Sequence, residues 1–147
     1  EFTAPQMPCY LIVGQSEISE PLPDPRARDL VKAPWDTSAD SAIYNWVSGA
    51  QAMNGLVKPF VPNSHKSFLA ACSSYNESGR YYTYTWNNSA DIPLVRFTRT
   101  LAREHNCYPE EFRMAWDFLE HYRLAPDGTR SYSASAFESA DSVLIVK

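Results

Sequence analysis

Arg80-Tyr81-Tyr82-Thr83-Tyr84-Thr85-Trp86 is built almost wholly from β-branched and aromatic residues, which fit a pleated, half-buried surface better than a helix. Successive side chains of a strand point to opposite faces, so Tyr82, Tyr84 and Trp86 share one face and Tyr81, Thr83 and Thr85 the other. Turn-prone Asn87-Asn88-Ser89 ends the run. A strand with one heavily aromatic face needs other elements to cover it, and the flanking sequence offers them.

Downstream, Asp91 followed by Pro93 reads as a helix start, with Leu94, Phe97 and Leu101 on one side and Arg96, Arg99 and Arg103 on the opposite side. Pro109 with Glu110 and Glu111 opens a second helix, whose Phe112, Ala115, Trp116 and Leu119 are expected to face inward. Pro126-Asp127-Gly128 is a turn returning the chain through 129–135, and Val143 to Val146 reads as a buried closing strand. Upstream, Cys9 to Val13 has strand character. Ile43, Trp46, Val47, Ala50 and Met53 recur at helical spacing, with Asp36 or Ser38 as cap and Gly55 as stop. The short apolar stretch from Ser67 to Cys72 suits strand or helix. Pro21, Pro23, Pro25 and Pro34 make the segment before the first helix an extended loop. The expectation is a single compact α+β domain over 1–147, irregular at 1–8 and 15–35, with a mainly antiparallel or mixed sheet and about three helices packed on it.

The 147 residues carry a net charge of −4, which argues against a field that gathers nucleic acid or an anionic membrane. The longest apolar runs fall far short of the ~20 residues that span a bilayer, so no membrane insertion is expected. Cys9, Cys72 and Cys107 are too few and too widely spaced for a zinc cage. Three reduced, buried thiols is one reading, and a single disulfide with a spare thiol is the other. The sequons Asn76-Glu77-Ser78 and Asn87-Asn88-Ser89, in a composition rich in Tyr, Ser, Asn and Pro, favour a secreted glycoprotein whose signal peptide has been removed. A cytoplasmic chain is the alternative.

Two constellations are candidate binding surfaces. Tyr82, Tyr84 and Trp86 form either a platform on which sugar rings or bases stack or, as the preferred reading, the core face of the sheet. Arg96, Arg99 and Arg103 form a basic stripe suited to phosphates or an acidic partner, or else a solvated helix face. The layout of 92–122, with Asp127-Gly128-Thr129-Arg130 as a wing tip, resembles winged-helix DNA-binding domains over the last third of the chain. The resemblance would make the second helix a groove reader, but Glu110, Glu111, Asp117 and Glu120 against Arg113 and His121 give it the wrong charge. His65, His105 and His121 show no metal spacing, Ser64 lacks a nucleophile elbow, and Glu110-Glu111 diverge by about 100° around a helix. Neither a catalytic residue, a cofactor nor a metal is therefore assigned. The leading expectation is a secreted, effector-like binding module for a protein or glycan partner. A small enzyme whose site assembles only in three dimensions and a nucleic-acid binder are the alternatives.

Overall fold

A computed structural model describes residues 6–14, 42–56, 65–103, 106–138 and 143–146. The predicted 15–35 loop, the Asp36 or Ser38 cap and His105 lie outside the described residues. The elements are β1 (Cys9–Gly14), α1 (Ala42–Met53), α2 (His65–Ala71), β2 (Ser74–Ser78), β3 (Tyr81–Asn87), β4 (Pro93–Thr100), α3 (Pro109–Leu119), β5 (Tyr122–Leu124), β6 (Arg130–Ser133) and β7 (Val143–Val146). β1-β4-β3-β2 form a mixed four-stranded sheet and β5-β6-β7 a three-stranded one, giving the expected compact α+β architecture.

The main correction falls on 93–100, which is a central strand and not an amphipathic helix. β4 pairs parallel with β1, Cys9 opposite Val95, and antiparallel with β3, Tyr84 opposite Phe97. Pro93 sits at the first strand position, where its missing donor does no harm. Asp91 adopts φ 61° within the turn that joins β3 to β4 and does not cap a helix. Asn88 Oδ1 holds that turn by accepting from the amides of Ala90 and Ile92 at 2.9 and 3.0 Å. Because β4 is buried on both faces, it lacks the polar alternation that marks a half-buried strand, and its apolar and arginine spacing imitates a helix.

One face of the sheet carries Val95, Phe97 and Arg99 beside Trp86, Tyr84 and Tyr82, and α1 and α2 cover it. Phe68 of α2 is the hub, with ring centroids 5.1 Å from Tyr84, 5.7 Å from Trp86 and 5.7 Å from Phe97. α1 presents buried Val47 and Ala50 and ends at Gly55, φ 64°, where the Gly55 and Leu56 amides return to the Ala52 and Gln51 carbonyls. The 67–72 stretch, undecided by sequence, is helical as far as Ala71 in α2.

The opposite face is partly roofed by α3, and its anchor is a buried carboxylate. Glu111 Oε1 lies 2.9 Å from Arg103 Nε and accepts from Thr100 Oγ1 at 2.7 Å, while Oε2 accepts from the Tyr108 amide at 3.2 Å. Arg103 Nη2 in turn donates to the Ile12 carbonyl of β1 at 3.3 Å. The predicted helix at 109–119 is present, but its buried residues are Glu111 and Phe118, with Ala115 half-buried between them, and the expected Phe112, Trp116 and Leu119 are exposed. β7 is likewise a correction: it forms the edge of the small sheet, leaving Val143, Leu144 and Ile145 exposed and only Val146 buried.

Arg103→Ala or Glu111→Ala strands a charge out of water and should cost about 3–5 kcal/mol in denaturant unfolding. Asp117→Ala, which breaks the exposed 3.9 Å pair with Arg113, should cost less than about 1 kcal/mol. In the same assay Phe97→Ala should cost about 3–5 kcal/mol. Trp116→Ala should stay within about 1 kcal/mol, whereas a larger loss would return that ring to the core.

Candidate functional site

A helix about 10 Å wide cannot roof four strands spaced about 4.8 Å apart. α3 lies over β1, and beyond it the outer strands stay open. The result is a groove of about 290 Å³ between α3 and the β2-β3 end of the sheet. Its floor comes from Tyr10, Thr83, Thr85 and Arg96 and its outer rim from Ser74, Tyr75 and Asn76. Met114 and Asp117 of α3 form the facing wall.

Arg96 is the charged centre of this groove. Its guanidinium carbon lies 4.4 Å from the centroid of Phe118 and 5.6 Å from that of Tyr10, and Nε donates to Thr85 Oγ1 at 3.1 Å. Burial pulls its pKa down from the usual arginine range, partly offset by the nearby phenols of Tyr10, Tyr122 and Tyr132. Among the described residues no carboxylate pairs with it. Beside it the Tyr10 hydroxyl and Thr98 Oγ1 are 2.8 Å apart, and Thr98 and Thr83 hydroxyls 2.7 Å apart. Burial raises the Tyr10 phenol, so this chain of hydroxyls is neutral at ordinary pH.

The other residues singled out by sequence do not join Arg96. Tyr82, Tyr84 and Trp86 are all buried, Tyr84 and Trp86 against Phe68 of α2, so they form no exposed platform. Arg99 points to that same aromatic face, where it hydrogen-bonds Tyr84, while Arg103 is committed to Glu111. A strand sends 96 and 99 to opposite faces, so the basic stripe existed only on a helical wheel. The helix pair at 92–122 fails with it, since its first member is β4. The predicted turn at 126–128 does join β5 to β6, Gly128 adopting φ 85°.

What the sequence reading missed is the outer face of α3. Phe112 is 69% exposed, Trp116 64% and Leu119 42%, at positions i, i+4 and i+7. Its apolar residues spread over too wide an arc for one buried stripe, and that breadth is the signal that could have revealed them. Groove residues Ser74, Thr83 and Thr85 gave no comparable signal, because hydroxyl residues in strands are ordinary.

Of the sequons, Asn76 is exposed on β2, whereas the Asn87 amide donates to Asp91 Oδ1 at 2.7 Å. His121 Nδ1 sits 2.7 Å from the Ser133 carbonyl and serves the β5-β6 hairpin. No group of three His, Cys, Asp or Glu suited to a metal occurs among the described residues, and no described helix is long and apolar enough to cross a membrane. All three cysteines are free, as in the reduced reading rather than the disulfide one, but Cys9 and Cys72 are only half-buried and Cys107 is exposed. Comparison with protein-family models, curated proteins and solved structures finds no match for this chain.

Burial raises the Cys9 and Cys72 thiols, which lowers their thiolate fraction at any given pH. Alkylation at pH ~8 followed by peptide mapping should therefore label Cys107 first. Cys9 and Cys72 should follow only as the pH rises or the fold opens.

Proposed function

We propose that this chain is a secreted, non-catalytic binding module that docks helix α3 into a groove on a protein partner. The observation that carries the reading is the outward stripe of Phe112, Trp116 and Leu119, whose spacing is that of helix-in-groove anchors. The two aromatic rings leave roughly 300 Å² of apolar surface in water, an area whose covering contributes on the order of 7 kcal/mol before the costs of association. Large rings so exposed on a helix already anchored by its other face are not needed for folding.

Charge narrows the partner. Glu110, Asp117 and Glu120 outnumber Arg113 along α3, so the complementary groove has an apolar floor and a basic rim. The secreted setting rests on the sequon at exposed Asn76 and on the aromatic, Ser- and Asn-rich composition.

A photo-cross-linking residue placed at Arg113, itself 85% exposed, tests the reading in culture fluid and extract of the source organism. One discrete heteromeric adduct is expected at that position and none from the same probe at Ser89. Phe112→Ser with Trp116→Ser should remove the adduct while leaving the melting temperature within a few degrees. An adduct that survives the double substitution, forms equally at Ser89, or consists only of a second copy of this chain would overturn it.

A further inference from the structure

Independently of α3's outer face, we propose that the Arg96 groove is a binding site for a monoanionic, polyhydroxylated ligand of monosaccharide size, a uronic acid type of sugar whose carboxylate meets the Arg96 guanidinium. Three features select this chemistry.

The first is an uncompensated cation. Arg96 is held from both sides, by Phe118 and Tyr10 rings and by the Thr85 hydroxyl, so its position is preorganised. Nε is the one guanidinium nitrogen with a hydrogen bond among the described residues, which leaves the Nη groups of this groove-lining side chain available to a ligand. A guanidinium withdrawn from water without a counter-charge gains most from an anion that restores the lost hydrogen bonds. Two parallel Nη donors match the two oxygens of a carboxylate.

The second is charge count. Asp117 stands on the α3 wall of the same groove, 3.9 Å from Arg113, which lies outside the lining. With Asp117 answered by Arg113 at the rim, Arg96 is the charge left to a ligand, and one guanidinium balances one negative charge while the rim carboxylate disfavours a phosphate dianion.

The third is the lining. Hydroxyls of Ser74, Thr83 and Thr85 and the Asn76 amide supply both donors and acceptors, as an alcohol-rich ligand requires. Met114 and the Tyr10 ring offer apolar contact to the C–H face of a sugar. The volume of about 290 Å³ holds roughly ten waters, the bulk of one sugar ring.

The test is a heteronuclear NMR titration of the full chain, produced without glycans, with sodium glucuronate, glucose and inorganic phosphate at matched ionic strength. Glucuronate should saturate and shift the amides of Ser74, Thr83, Thr85 and Met114, with glucose and phosphate at least about tenfold weaker. Arg96→Gln should lower glucuronate affinity by at least about tenfold. Because Arg96 also packs against Phe118, the exposed rim double variant Ser74→Ala with Asn76→Ala provides a second measurement in a fold that should be undisturbed. It should weaken glucuronate several-fold. Equal affinity for glucose and glucuronate, tighter binding of phosphate, shifts outside the groove, or full affinity in the rim variant would each overturn the assignment.

Discussion

Glu111 is a carboxylate held out of water by a guanidinium, a threonine hydroxyl and the first free amide of its own helix. The pair is stable only if all three partners arrive together, since any one left out exposes an unsatisfied charge inside the protein. That requirement fixes where α3 starts, how it rolls and which strand it crosses. Its roll buries Phe118 against Tyr10 and Arg96, and the same rotation turns Phe112 and Trp116 into water. The outer aromatic stripe and the inner groove are thus two results of one buried ion pair.

The groove itself follows from a mismatch of widths. Two helices suffice to cover the aromatic face because Phe68, Tyr84, Trp86 and Phe97 interlock across β3 and β4. On the other face α3 covers β1, with Tyr122 of β5 beside its Phe118, and the exposed outer strand β2 carries polar residues that tolerate solvent. Thr83 and Thr85 are what a strand uses when one side is neither core nor surface, and they line the cleft, with buried Thr98 bonded to Thr83 beneath them.

Much of the architecture could be read from local chemistry. β3 was legible because its alternation is aromatic against threonine, α1 because its apolar period ends at a glycine with φ 64°, and the 126–128 turn because its residues demand that geometry. β4 was illegible for a physical reason: burial on both faces erases alternation, and its arginines fall at intervals of three. Only Val95, Thr98 and Thr100, all β-branched, spoke for a strand. The site fared accordingly. Arg96 lies in the lining of the groove, whereas the pleat sends Arg99 to the aromatic face and Arg103, past the end of β4, is taken up by Glu111. Residues drawn from β1, β2, β3, β4 and α3 meet at the groove, and no window of sequence contains them together.

The parallel pairing of β1 with β4 joins Tyr10 to Thr98 across 88 residues of chain. β2, β3 and β4 can zip up as a local meander, but β1 must close a very long loop and so is the last strand to arrive. Until it does, β4 presents an open, strongly apolar edge to its surroundings. A second molecule at the same stage carries an identical free β1, which fits that edge as well as the native one does. Exchange of the N-terminal strand between copies is therefore the misassembly this topology invites at high concentration, and rapid dilution during refolding is the condition that suppresses it.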